Sequence, residues 1–295
     1  MHTKPGTALT QRTMGILLLV LAVSCFGAVD GFSKMLVGSQ SFGQIMLARY
    51  GPACVALLIA VGPLRWKSLF ATRRPGLQII RGLTPLFVGG SMVFAVRHLP
   101  LAEATVVLFA GPFLVVALSS YWLGERVEAA SWIGVVVGFL AVLLVARPGF
   151  DALSQYAVFP AVAAVFYALL QLFSRRLGAA GERPLTTVAW TLLTGSLVSL
   201  PIAIADWRQP DTLGWMSFLG LAVTFGLGQY FLTRAFSLAP ANVLTPFSYV
   251  QILAATLFGL AVFHDVPDGW TLLGMVMIMA AGVFVARSPQ STARR

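Results

Sequence analysis

Residues Ala95–Pro148 read AVRHLPLAEATVVLFAGPFLVVALSSYWLGERVEAASWIGVVVGFLAVLLVARP, and residues Ala235–Ser288 read AFSLAPANVLTPFSYVQILAATLFGLAVFHDVPDGWTLLGMVMIMAAGVFVARS. Laid over one another at an offset of 140 residues, without a gap, they share Ala95/Ala235, Pro100/Pro240, Thr105/Thr245, Gly134/Gly274 and Ala141/Ala281. Both close on Val-Ala-Arg, at 145–147 and 285–287. Apolar chains match by chance easily, so the shared punctuation weighs more than the identities. Each stretch is a two-helix hairpin with the same proline before its first helix and the same Ala-Arg end. Upstream, Phe32-Ser33-Lys34 resembles Phe173-Ser174-Arg175 at nearly the same offset. One design is written twice.

The rest of the chain says where that design lives. Of 295 residues, 58% are apolar and 10% charged, against about 25% charged in soluble domains. Mean hydropathy is +0.86. No single water-soluble core of this size hides so much apolar surface, which excludes a soluble enzyme, a disordered chain and a disulfide-stapled module. A β-barrel is excluded too, because the apolar runs are continuous rather than alternating. The two cysteines, Cys25 and Cys54, sit within apolar runs and read as small buried hydrophobes.

The fold class is therefore an all-α polytopic membrane protein. Polar, Pro/Gly-rich and charged breaks mark ten spans, near 14–36, 43–62, 77–97, 101–123, 130–147, 155–175, 185–205, 213–236, 241–263 and 269–286. The first is too long for a cleavable signal peptide, and no small-residue cleavage site follows it. Trp66, Trp122, Trp132, Trp207, Trp215 and Trp270 fall near span ends, where an amphipathic ring suits the headgroup layer. With a cytoplasmic N-terminus, 15 of the 20 Lys and Arg lie on the cytoplasmic side, a bias that places both termini inside. The net charge of +10 then meets anionic lipid, not nucleic acid.

Ten spans in two copies give five spans to a copy, residues 1–150 and 151–295. An odd number inserts the second copy upside down. Inverted repeats recur in secondary transporters, where one repeat rocks against the other around a midplane site.

Leu101-Ala102-Glu103-Ala104, Leu123-Gly124-Glu125-Arg126, Gly134 and the run Gly138–Ala146 resemble the first EamA repeat of the drug/metabolite transporter superfamily, as does Arg49 in the second span. The second repeat departs from that pattern, with His264-Asp265-Val266 where Gly124-Glu125-Arg126 stands in the first. The resemblance implies a carrier in a bacterial cytoplasmic membrane that exports amino acids, related metabolites or drugs, and is strongest to exporters of aromatic amino acids.

Candidate site residues are the polar groups at membrane depth, which are costly unless they face protein or water. Asp30 and Lys34 share a helix face and can neutralise one another, or can meet a zwitterionic substrate. Arg49 reads as a packing anchor snorkelling outward. Glu103 opens the fourth span. Tyr167 and Gln171 share a face of the sixth, Gln229 lies beside Tyr230 on the eighth, and Tyr249 is on the ninth. Such groups are either interhelical hydrogen bonds or the lining of a cavity with aromatic walls; Phe87 adds wall area. Pro85, Pro112 and Pro246 can kink their spans. No nucleophile, metal-ligand or phosphate-loop motif is present, so neither catalysis nor a cofactor is expected. The reading is an amino-acid exporter working by alternating access on a small-molecule substrate within membrane lipid. The alternatives are a carrier of cationic drugs or nucleotide sugars, and an embedded enzyme or sensor.

Overall fold

Short polar punctuation cuts the apolar chain into helices. A computed structural model describes residues 5–122, 129–147, 152–238 and 244–287. Helix α1 runs Pro5–Leu36 and α2 Phe42–Val61. Between them Ser41 forms a capping box: its hydroxyl accepts the Gln44 N–H at 3.3 Å, and the Gln44 side chain accepts the Ser41 N–H at 3.2 Å. Gly62, at φ 76°, ends α2 in a backbone form that other residues resist, and Pro63 follows. A short α3 (Trp66–Phe70) precedes α4 (Pro75–Val96). The fourth run is broken into α5 (Leu101–Leu108) and α6 (Gly111–Trp122). Then come α7 (Ala129–Ala146), α8 (Val158–Ala179), α9 (Pro184–Ala205) and α10 (Thr212–Leu238). A 3₁₀ turn over Thr245–Tyr249 leads into α11 (Val250–Phe258), which ends in a π turn, and α12 spans Gly269–Arg287.

Seven of these segments are long and apolar enough to cross a membrane, and three more, at 132–146, 247–263 and 269–284, are apolar but shorter. The expected kinks differ in kind. Pro85 sits in an unbroken α4. Pro112 lies in the first turn of α6, just past the break at Phe109-Ala110, where a missing N–H costs little. Pro246 belongs to the 3₁₀ turn. Gly124, Glu125 and Arg126 lie outside the described residues.

Helix pairing is regular. The main packed pairs are α1 with α10, α4 with α8, α2 with α9, α7 with α12, α1 with α11, α6 with α8, α4 with α9, and α2 with α10. Exchange α1 for α8, α2 for α9, α4 for α10, α5–α6 for α11 and α7 for α12, and each pair becomes another pair or itself. The chain breaks obey the same exchange. Phe109, at the α5–α6 break, and Tyr249, at the 3₁₀–α11 junction, stand 140 residues apart, and their rings touch at 5.4 Å between centroids.

Small residues permit this closeness. A methyl group at Gly27 or Gly31 would strike α11, at Ala254 and Ala255 or at the Phe258 ring. One at Gly138 would enter the Phe113 ring, and one at Gly282 the Tyr249 ring. The outward faces carry Leu17, Ile59, Leu219 and Val276, apolar side chains with no protein partner to cover them.

Asp268 starts α12, accepting the Thr271 N–H at 2.8 Å and pairing with Arg147. Partial desolvation pushes its carboxyl up, but hydrogen bonds from Arg147 and Thr271, with the Arg147 charge, outweigh this and hold it at about 2 against the usual 3.8. A depressed carboxyl stabilises above its ordinary value and loses that contribution as pH falls. The difference in thermal midpoint between wild type and Asp268→Asn, measured in detergent, is therefore expected to stay constant above about pH 5 and to shrink as pH falls through about 2. At the crossing of α12 with Tyr249, Gly282→Val should cost about 1–3 kcal/mol by overpacking. Gly178→Ala, which meets open space, should be neutral or slightly stabilising in the same thermal assay.

Candidate functional site

The deepest charges belong to α1 and α2. Arg49 lies about 10 Å along α2 from Phe42. Its Nη2 donates to the Ser33 hydroxyl at 2.9 Å and reaches the Asp30 carboxylate at 3.5 Å. Ser33 in turn donates to the Val29 carbonyl at 2.7 Å. Both charges are buried, Asp30 at 6% and Arg49 at 5% exposure. The other terminal nitrogen of Arg49 lies against Gly89, where any side chain on α4 would displace it. Arg49 therefore turns inward and ties α1, α2 and α4 together, rather than snorkelling outward. Its Nε is buried without a hydrogen-bond partner.

Asp30 and Lys34 do not neutralise one another. Lys34 leaves the shared face to pair with Asp265, between the π turn and α12, and its ammonium lies 4.7 Å from the centre of the Phe263 ring. That aspartate is positioned by His264, whose left-handed backbone (φ 57°) ends the π turn. The ion pair thus joins α1 to the segment before α12, a connection no local spacing announces.

A second group forms where the two broken helices meet. Tyr249 is 3% exposed between Phe109 and Gly282. The Tyr167 ring fills the space over Gly111, and Gln171 lies one turn further along α8. Tyr167, over Gly111, and Tyr249, against Phe109, thus both pack at the α5–α6 break. The other candidates sit elsewhere. Phe87 is 51% exposed and stacks on Phe166 at 4.5 Å. Tyr230 is 61% exposed beside Phe231. Glu103 is half-buried in the first turn of α5, and Gln229 is half-buried on α10.

Arg81 is not among the sequence candidates. On α4, its Nε donates to the Ser174 hydroxyl at 3.1 Å, and its Nη1 bonds the Thr191 hydroxyl and, at 3.5 Å, the Thr187 carbonyl. The signal was the repeat itself, since Ser174 is the counterpart of Ser33, the serine that Arg49 holds.

Residues 13–147 and, separately, 155–287 match the EamA-like transporter family. The chain belongs to the EamA-like transporter family. It is a multi-pass membrane transporter, not an enzyme. Among the relatives of this EamA-like chain is the pseudopaline exporter of Pseudomonas aeruginosa, 31% identical over 93% of this chain and 96% of that one. The S-adenosylmethionine uptake transporter of Rickettsia conorii is 25% identical over 98% and 97%. The riboflavin transporter of Vibrio cholerae is 25% identical over 97% and 96%. A protein of known crystal structure shares the fold, with a TM-score of 0.63 and 21% identity over 94% of this chain and 97% of the other.

Removing one member of a buried ion pair strands the other. Asp30→Asn or Arg49→Gln should each destabilise the EamA-like chain by about 3–5 kcal/mol, and the double variant should lose less than their sum. Detergent unfolding of all four proteins measures this coupling; strict additivity would show that the pair does not act as one unit.

Proposed function

We propose that this EamA-like chain is a secondary carrier that exports amino acids, aromatic ones among them, by alternating access. It sits in the bacterial cytoplasmic membrane with both termini inside. Ten spans in two five-span repeats of opposite orientation are the architecture this requires. The two separate family matches support that reading, as does helix pairing that survives exchange of the halves.

The observation that carries the cargo is the Asp30–Ser33–Arg49 cluster beside unsatisfied hydrogen-bonding capacity. The carboxylate of Asp30 suits a substrate ammonium, and the free Nε–H of Arg49 suits a substrate carboxylate. Tyr167, Gln171 and Tyr249, on helices of the opposite repeat, supply ring surface and an amide, whereas Lys34 is held by Asp265 and Phe87 and Tyr230 lie too exposed to join them. Relatives named for pseudopaline, S-adenosylmethionine and riboflavin, and for both export and uptake, support one fold serving several cargoes in either direction.

Purified protein in liposomes should move radiolabelled phenylalanine faster than protein-free vesicles, and Asp30→Asn should reduce that flux. Flux of a lipophilic cation without flux of any amino acid would replace this cargo with the cationic-drug alternative.

A further inference from the structure

The two repeats treat their buried arginines differently. Arg49 faces a carboxylate. Arg81, about 9 Å along α4 from Pro75, hydrogen-bonds only neutral groups among the described residues: two hydroxyls and a carbonyl. The offset of 141 residues that sets Ser174 on Ser33 also sets Gln171 on Asp30, so an amide stands where the first repeat has an acid. An arginine stays charged in proteins, and a charge at membrane depth is unfavourable until something compensates it. The carboxylate nearest in the network, Glu182, is engaged elsewhere. It accepts the Arg73 N–H at 3.0 Å and the Gln78 side-chain N–H at 3.2 Å, and it connects toward Arg81 only through Gln78 and Thr187.

Gln78 adds an independent observation. It lies three residues before Arg81, hence on the same face of α4. It is fully buried, and its Oε1 has no hydrogen-bond partner. A guanidinium that bonds only neutral groups among the described residues and an amide oxygen with no donor therefore share one face of α4, where both side chains bond Thr187. We infer that Gln78 and Arg81 form a subsite for an α-amino acid at the N-terminal end of α4, with Arg81 holding the carboxylate and the Gln78 oxygen accepting the ammonium. Ser174 and Thr191 keep the guanidinium in place. This deepens the amino-acid reading above and rests on it for the ammonium half.

The test uses ligand-dependent thermal shifts of the purified full chain in detergent, with phenylacetate and phenylalanine as probes. Arg81→Gln should weaken phenylacetate binding about tenfold or more, with Arg81→Lys retaining part of it. Gln78→Leu should weaken phenylalanine binding and leave phenylacetate binding unchanged, a split that a purely structural role would not produce. Size-exclusion profiles check folding, and if Arg81→Gln does not fold, Arg81→Lys and Gln78→Leu carry the test. Equal phenylacetate binding by wild type and the Arg81 variants, or none by wild type, overturns the subsite. An Arg81-dependent shift given by phosphatidylglycerol but not by phenylacetate makes it a lipid-headgroup site and also overturns it. Arg81-dependent phenylacetate binding without phenylalanine flux in liposomes removes the amino-acid cargo and leaves the anion subsite standing. Flux without such binding does the reverse.

Discussion

A charge at membrane depth has no water to turn to, and the placement of Arg49 shows how this protein answers that constraint. Its guanidinium needs a carboxylate from α1, a hydroxyl one turn along the same helix, and a glycine on α4 to leave room. Three helices are thereby fixed at one level. Breaking any of these contacts leaves a charge unmatched in low dielectric, a loss far larger than that of a surface ion pair. The polar interior is consequently concentrated in a few clusters, while the faces toward lipid carry leucine, isoleucine and valine.

The second organising feature is the exchange that maps one half of the chain onto the other. Its centre is visible in Phe109 and Tyr249, equivalent residues at equivalent breaks whose rings meet each other. Glycines at 111 and 282 let Tyr167 and Tyr249 pack there. Where the halves differ, chemistry enters: Asp30 against Gln171, and His264 against Gly124. The exchange supplies a frame, and those departures give each half its own electrostatics.

Much of this was legible in the sequence. Apolar runs bounded by Pro63, Pro75 and Pro184 mark helices because proline and the polar turns stop them. Gly27 and Gly31, four residues apart on one face of α1, leave the room that α11 takes. Ion-pair partners were not legible. Spacing alone joins Asp30 to Lys34, yet Asp265, 231 residues from Lys34, takes the lysine, and Arg49 turns inward to the aspartate. Such choices depend on which helices become neighbours and on a gap at Gly89, neither of which local sequence encodes. Arg81 is not legible as a site residue because its partners are neutral and come from two other helices. Among the site candidates, Tyr167, Gln171 and Tyr249 gather around one centre, whereas Phe87 and Tyr230 are more than half exposed.

Opposite orientation of the two repeats is the claim on which alternating access rests. Ser39, in the α1–α2 turn, and Ala180, in the α8–α9 turn, are counterparts at the 141-residue offset. In a Cys25→Ser, Cys54→Ser background, Ser39→Cys and Ala180→Cys can be labelled with a membrane-impermeant maleimide on intact spheroplasts and again after permeabilisation. The account predicts labelling of Ser39→Cys from outside and of Ala180→Cys only after permeabilisation. Labelling of both from the same side would contradict it.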